Sequence, residues 1–473
     1  MACLFTNFSF TNSHGTFQLA VLILIHVFTS LASPPNIIFI LADDLGWDDV
    51  SFHGAEFPTP NIDRLALDGV ILNNYYVQPM CTPTRGAILT GKYPIHTGLQ
   101  HYVIAGSQPY GLPLTEITLA QHLQTLGYVT RAIGKIIIIL SCLNVDFYYL
   151  LFKKIISSSY RGTKNTLWQG GVRGVGFVHS PLLKKKSYVN NNLMHAVDWM
   201  PTLLGLAKGD LTKLDNIDGF DQWETISENA ESERKEVLLN IDPIMQHESL
   251  IIAQYKIIFG NISDGKNDGW YPPSGTNILS ANSSNSSLNY EKNNESNIKF
   301  ISSLNIQDMT QTEVKNLIDI LDFINKRLRN NLTMNDVLID LLPTINEMMN
   351  APQIFFSSVH NKEEMATKKK AEVNSLDLVV NCGIRPTNAS TNCQPLKAPC
   401  LFDIENDPCE YNNIADHLPV IVEVLTQRLR MYESTMIPPA NKPIDPKGDP
   451  SLHGGVWGPW LLISDSVRRE HFL

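Results

Sequence analysis

The residues with the most evident chemistry lie in the segment Cys81-Thr-Pro-Thr-Arg85. Pro83 stands two residues after the cysteine, and proline is favoured in the first turn of a helix. The segment therefore predicts that Cys81 lies at a helix N-terminus, where backbone N–H groups stabilise an anion. A thiol in that place is a candidate nucleophile. The alternative is a cysteine that is buried or disulfide-bonded and has no chemical role.

Two adjacent carboxylates, Asp43 and Asp44, form a second candidate site. They follow the apolar run 36–42, whose β-branched residues predict a central parallel strand that is buried on both faces. Open α/β sheets place ligands at the carboxyl ends of such strands. Carboxylates are hard oxygen ligands that suit Ca²⁺ or Mg²⁺. The alternative is a solvated corner between strand and loop.

Three neighbouring segments carry a family resemblance: residues 41–47, residues 81–85 and Gly86-Ala-Ile-Leu-Thr-Gly-Lys-Tyr93. Together they resemble the sulfatase family, and further segments are similar to its arylsulfatase B branch. The resemblance covers residues 36–135, 161–260 and 395–460 and implies an alkaline-phosphatase-like α/β/α sandwich. The sandwich is incomplete here and is followed by a smaller C-terminal α+β domain. The segments similar to arylsulfatase B are 172–178, 214–221, 239–243, 401–408 and 455–460.

The resemblance implies a chemistry for these residues. Cys81 would be oxidised to formylglycine by the formylglycine-generating enzyme of the secretory pathway. One hydroxyl of the hydrated aldehyde would attack sulfur, and the other would expel sulfate by re-forming the aldehyde. Asp43, Asp44 and residue 81 would bind Ca²⁺, with Mg²⁺ as the alternative metal. Three cations would surround the sulfate and stabilise its charge: Arg85, Lys135 and Lys164.

The sequence departs from the family between Lys135 and Lys164. The family has Trp-His after the first lysine, and this chain has Ile136 and Ile137. The resemblance also implies a second histidine and an Asp-Asn pair in a long intervening stretch. Here only 28 residues intervene; they contain no histidine, and their one aspartate, Asp146, lacks a following asparagine. The sequence therefore predicts a shortened chain without the acid and base groups of the reaction.

The insert 136–160 is nearly uncharged at its start and rich in isoleucine, tyrosine and phenylalanine. Asp146 and Asn144 in its middle make a membrane span costly. A short buried element is one alternative. We interpret the insert as translated non-coding sequence that bridges a skipped block of exons.

Three functions follow from these observations. The first is a sulfuric ester hydrolase that removes sulfate from sulfated glycosaminoglycans or other sulfate esters. The second is a catalytically inactive homologue that binds a glycan or a protein. The third is a phosphate-ester hydrolase on the related fold, against which Cys81 argues because a serine or threonine is usual there.

The N-terminus and the cysteines indicate the secretory pathway, with lysosomal delivery and secretion as the two destinations. The apolar run 17–31 precedes Ala32 and Ser33 and predicts a signal peptide over 1–33, with an uncleaved anchor as the alternative. Four clustered cysteines allow three disulfide pairings. The cysteines are Cys382, Cys393, Cys400 and Cys409, and the glycosylation sequons are at Asn261, Asn282, Asn285, Asn294, Asn331 and Asn388.

Composition and periodicity complete the predictions. The net charge of −10 on 473 residues argues against nucleic-acid binding, and no stable membrane span is expected. We expect a truncated catalytic domain over 34–260, a variable region over 261–394 and a C-terminal subdomain over 395–473. Helices are predicted at 61–68, 118–126, 194–204, 310–350 and 418–432, strands at 128–133 and 174–178, and a loop at 277–300.

Overall fold

The computed structural model describes residues 34–55, 57–134, 160–271, 378–380, 382–456 and 460. The strands are β1 (Val70–Tyr76), β2 (Phe177–Val178), β3 (Tyr188–His195), β4 (Glu236–Asp242), β5 (His247–Ile252), β6 (Tyr255–Gly260) and β7 (Cys400–Asp403). The helices are α1 (Pro60–Asp68), α2 (Cys81–Thr90), α3 (Leu119–Thr125), α4 (Gln169–Val172), α5 (Trp199–Leu206), α6 (Trp223–Glu228) and α7 (Pro419–Thr435).

A three-stranded sheet in the order β2-β1-β3 carries the element that leads to Cys81. Strand β1 is parallel to β3, with Tyr76 opposite His195, and antiparallel to β2. The carboxyl ends of β1 and β3 therefore lie at the same edge of the sheet. The chain leaves β1 at that edge and enters α2 within a few residues, so the sheet fixes where α2 begins.

The second sheet is antiparallel, in the order β4-β5-β6-β7. Successive side chains along each of its strands point to opposite faces of the sheet. Both faces are buried. On one face Ile257 shares a cluster with Leu425 and Leu429 of α7. On the other face Ile258 shares a cluster with Trp168, which leads into α4. The sheet is thus covered on both sides.

Several helices predicted from periodicity are confirmed. Helices α1, α3 and α7 lie where the patterns at 61–68, 118–126 and 418–432 placed them. Thr118 caps α3 by accepting a hydrogen bond from the backbone of Gln121, as a capping box does. The helix predicted from residue 194 begins at Trp199 instead, because Met194 and His195 complete the ladder between β3 and β1.

Two strand predictions are wrong. Residues 36–42 and 128–133 form no strand, and most of their apolar side chains are exposed. Among the described residues no strand lies beside either segment, so their backbone groups gain no ladder partner. The strand predicted at 174–178 is shortened to the two residues of β2.

The C-terminal cysteines form two disulfides, Cys382–Cys409 and Cys393–Cys400. Strand β7 begins at Cys400 and pairs with β6, so residues 255–260 and 400–403 share one sheet. The division into domains stays a prediction. In the described part of the chain, no helix is both long and apolar enough to cross a membrane. The signal peptide 1–33, Lys135, residues 136–159, the loop 277–300, the helix 310–350 and four of the sequons lie outside the described residues.

Candidate active site

Cys81 is the first residue of α2, as predicted from Pro83. Met80 precedes it in an extended conformation and acts as the N-cap residue. The Cys81 side chain is 8% exposed and forms no disulfide. The structure therefore places a thiol among the backbone N–H groups of a helix N-terminus, where negative charge is stabilised.

The two aspartates lie beside this thiol. The Sγ atom of Cys81 is 3.8 Å from Asp43 Oδ1 and 3.8 Å from Asp44 Oδ1. Asp44 has a φ of 61°, in the left-handed region. This conformation turns the chain sharply after residues 36–42, which form no strand and which we call the open segment. Trp47 follows, is buried, and stacks on His53 with ring centroids 3.8 Å apart. This stack fixes the turn that carries the carboxylates.

Each carboxylate is paired with a cationic side chain. Arg85, one helical turn after Cys81, donates from Nη2 to Asp43 Oδ1 at 2.9 Å. Lys164 donates from Nζ to Asp44 Oδ1. Burial lowers the pKa of Lys164, but the hydrogen bond to Asp44 and the charges of Cys81 and Asp44 raise it, so its pKa lies above the ordinary value. Lys164 is therefore charged at neutral and acidic pH.

A metal could be held by three donor atoms in this cluster. One atom each from Asp43, Asp44 and Cys81 lie within 4.8 Å of one another. The carboxylates fit a hard divalent cation, and an oxygen in place of Cys81 Sγ would fit better than the thiol. Ca²⁺ takes six to eight oxygen ligands. Three donors from the described residues make a partial shell, which water or a substrate oxygen would complete.

We call residues 161–169 the Lys164 loop. Its backbone is held on the side of the thiol, where Asn165 N donates to Pro79 O at 2.9 Å. It is held on a second side by Ser263, whose hydroxyl donates to Asn165 O at 2.8 Å. Asn165 itself has a φ of 70°. Ser263 ends the sequon at Asn261 and Pro79 lies just before Cys81, but neither position predicts a contact with this loop, so sequence reasoning missed both supports.

The structure brings together five of the six site residues predicted from the sequence. Within the cluster, two ion pairs, each of one carboxylate and one cation, lie beside a thiol at a helix N-terminus. An anionic group entering there would meet Arg85, Lys164 and the N–H groups of α2, while the two carboxylates would compete for the same cations. Lys135, the sixth residue, lies outside the described residues.

Comparison with known proteins identifies relatives of this chain. The family model described as Sulfatase matches residues 35–140. The chain is 29% identical to arylsulfatase J of Mus musculus over 583 aligned positions, which include 94% of this chain and 83% of that protein. It is 47% identical to arylsulfatase A of Bos taurus over 106 residues, which are 22% of this chain and 21% of that protein.

The alignment with the mouse protein is longer than this chain. Its 583 positions exceed the 473 residues available, so part of the relative lies opposite gaps here. The 106-residue match to the bovine protein spans about a fifth of that relative. The arylsulfatase B branch stays a prediction, because the relatives named are of types J and A.

A solved structure shares the fold. A Bacteroides thetaiotaomicron protein, described under the metabolism of multiple glycosaminoglycans, has a TM-score of 0.50 and 14% identity. The match covers 85% of this chain and 100% of that one. At that identity the likeness shows the fold alone. The prediction of an alkaline-phosphatase-like α/β fold is confirmed.

Proposed function

We propose that the chain, which matches the Sulfatase family model over residues 35–140, acts on sulfate esters at the cluster around Cys81, with sulfated glycosaminoglycan sugars as its substrate class. One observation carries the proposal. Cys81 lies at a helix N-terminus, 3.8 Å from both aspartates, and those aspartates are paired with Arg85 and Lys164. This arrangement supports binding of a sulfate group against two cations.

The side chains of the cluster have separate tasks in this proposal. Arg85 and Lys164 bind the sulfate oxygens and stabilise the negative charge that grows in the transition state. The N-terminus of α2 orients the group toward residue 81. A formylglycine at residue 81, produced by a formylglycine-generating enzyme, supplies an oxygen nucleophile. A Ca²⁺ or Mg²⁺ ion, when bound by Asp43, Asp44 and residue 81, supplies further positive charge to the site.

The aspartates leave their ion pairs when substrate arrives. In the structure Arg85 and Lys164 donate to Asp43 and Asp44. A sulfate group can accept those same hydrogen bonds, which releases the carboxylates as acceptors for the group at residue 81. The two cations exchange charge-assisted hydrogen bonds for others of the same kind, and the released carboxylates need the group at residue 81 or a divalent cation to replace their lost partners. We propose that this chain acts in the secretory pathway, in lysosomes or after secretion, and its two disulfides support that proposal.

A second function is favoured by one observation. The 28 residues between Lys135 and Lys164 contain no histidine. General acid–base groups typically contribute about 10²–10⁴-fold to a rate, so their loss would leave sulfate binding but little turnover. In that case the protein is a binding module for sulfated glycans.

Mass spectrometry and a fluorogenic assay test the proposal. The chain is produced in a secreting eukaryotic cell, and the tryptic peptide that contains Cys81 is measured for conversion to formylglycine. Hydrolysis of 4-methylumbelliferyl sulfate is then followed for the wild type and for Cys81→Ala. We expect conversion, and a loss of turnover of more than about 10³-fold in the variant.

The same preparations separate the two functions. Turnover that survives in Cys81→Ala would rule out the nucleophile. Conversion of Cys81 without turnover, together with binding of inorganic sulfate, identifies the binding module. An unconverted Cys81 and no sulfate binding would reject both. Lys164→Arg, which keeps the charge, is the matched control for loss of sulfate binding in Lys164→Ala.

A further inference from the structure

Both ends of the Lys164 loop are attached to two consecutive residues near the C-terminus. At one end Gln169 N donates to Glu410 Oε2 at 2.8 Å. At the other end Arg161 bridges to Trp270, whose indole Nε1 donates to Cys409 O at 2.7 Å. The guanidinium of Arg161 also lies 3.6 Å above the ring of Trp168. Glu410 thus contacts the end of the loop directly, and Cys409 is linked to its start through Trp270.

We propose that Glu410 is a positioning residue for Lys164, and that it acts through the backbone N–H of Gln169. This inference rests on the proposed function, because it assigns a purpose to the placement of Lys164 at the sulfate site. Glu410 does not touch the cluster around Cys81. Its effect is transmitted by the Lys164 loop.

The carboxylate of Glu410 has two separate partners. Its Oε1 accepts a hydrogen bond from Lys256 Nζ at 2.7 Å, and its Oε2 accepts the one from Gln169. The side chains of Glu410 and Lys256 are both fully buried. A buried ion pair alone is weak support for a fold, since apolar residues of similar volume often replace it without loss. The second acceptor oxygen is what connects this pair to the loop.

The loop is stiff enough to carry a displacement from Gln169 to Lys164. Gly170 N donates to Arg161 O at 2.8 Å, which closes the loop on itself. Thr166 Oγ1 donates to Thr163 O at 2.6 Å across the base of the turn that holds Lys164. A Cβ added at Gly162 would lie 2.5 Å from Thr166 Oγ1, so the turn has no spare volume. In such packing a shift at one end moves the whole loop.

Two matched double variants separate positioning from ion pairing. Glu410→Gln with Lys256→Met removes both charges but keeps an acceptor oxygen for Gln169 N–H. Glu410→Met with Lys256→Met removes the charges and the acceptor, while side-chain volume is nearly retained. The measurements are the thermal midpoint and the affinity of the full chain for inorganic sulfate by calorimetry.

We expect the two variants to melt within a few degrees of each other but to differ in sulfate affinity. The variant with glutamine keeps wild-type affinity, and the variant with methionine at 410 binds about tenfold more weakly, as expected when one cation is misplaced. Equal affinities at equal thermal midpoints would overturn the proposal. If Glu410→Met does not fold, Glu410→Leu with Lys256→Met takes its place in the same comparison.

Lys164→Ala shows whether the effect passes through Lys164. Combined with the methionine pair, it should cause no further loss of sulfate affinity, because the misplaced group is already absent. If the losses of sulfate affinity from Lys164→Ala and from the methionine pair add up in the combined variant, the inference is overturned. If Lys164→Ala alone leaves sulfate affinity unchanged, the proposed function loses its Lys164 assignment. If Lys164→Ala weakens binding and the methionine pair does not, the proposed function stands and the role of Glu410 is rejected.

Discussion

The apolar segments 36–42 and 255–260 are close in composition and opposite in structure. The first contains Ile-Ile-Phe-Ile and the second Ile-Ile-Phe. Ile38 and Ile40 are 86% and 84% exposed and belong to no strand, whereas Ile257 and Ile258 are fully buried in β6. The difference shows that an apolar β-branched run becomes a strand only where neighbouring strands complete its hydrogen bonds.

The surroundings of the two segments explain the contrast. Strand β6 has β5 on one side and β7 on the other, and both of its faces are covered. The open segment contacts the rest of the fold through a few side chains, such as Phe39, whose ring meets Trp199 edge-on at 5.5 Å. The cluster around Cys81 joins both regions. The aspartates follow the open segment, and Lys164 lies on a loop that packs near the covered sheet.

The largest expected effect contrasts a buried isoleucine with an exposed one. Ile257→Ala should lower the free energy of unfolding by about 2–5 kcal/mol, because it removes buried methylene groups and leaves a cavity. Ile40→Ala should change it by less than about 0.5 kcal/mol. Urea denaturation followed by tryptophan fluorescence measures both. A loss of similar size in the two variants would show that residues 36–42 are buried in solution.

Acid should destabilise the small core that supports the aspartates. Burial, together with the charge of Arg173, lowers the pKa of His53 to about 3, against the opposing hydrogen bond with Trp47 O. A folded pKa below the unfolded value means that stability is present above pH 6.5 and is lost as pH falls toward 3. For one such histidine the loss is about 1.4 kcal/mol per pH unit in that range.

Denaturation curves measured between pH 7.5 and 4.5 test this prediction. His53→Phe should flatten the decline, because an apolar ring at this position does not take up a proton. The wild type, measured at the same pH values, gives the reference slope of the free energy of unfolding against pH. An unaltered slope in His53→Phe would contradict the assignment of this acid sensitivity to His53.

The smallest expected effect on stability comes from making the open segment polar. Ile38→Thr with Ile40→Thr keeps β-branched side chains and should leave the free energy of unfolding within about 0.5 kcal/mol. Binding of the dye ANS should fall, because exposed apolar surface is removed. Unchanged dye fluorescence would mean that the segment is covered in solution, and the contrast with β6 would then disappear.

Local patterns predicted the parts of the fold that local interactions decide. Pro83 indicated the start of α2, and the apolar spacing over 118–126 indicated α3. Strand β3 contains three consecutive asparagines, and β1 contains two, which disfavour strands by propensity. These strands form because they pair with each other in parallel across a large sequence separation. No local signal could reveal that pairing.

The residues of the candidate site also fall into two groups, those that the sequence predicted and those that it did not. Cys81, Arg85, Asp43, Asp44 and Lys164 were predicted from motifs, and the structure brings them together. The groups that fix Lys164 were not predicted. Ser263 and Glu410 lie far along the chain, and the sequon that ends at Ser263 predicts glycosylation rather than a contact with the backbone of the Lys164 loop. A sequence shows which residues carry chemistry more readily than it shows which residues support them.

The hydrogen bond between Gln169 and Glu410 joins residues that are 241 positions apart. Ribosomes add about 5–20 residues per second, so roughly 12–50 s separate the synthesis of the two partners. During that interval the nascent chain carries Lys164 on a loop whose last residue, Gln169, has no Glu410 to accept its backbone hydrogen bond. The order of translation therefore leaves the Gln169 end of the Lys164 loop without its hydrogen-bond acceptor until the segment that contains Glu410 has been made.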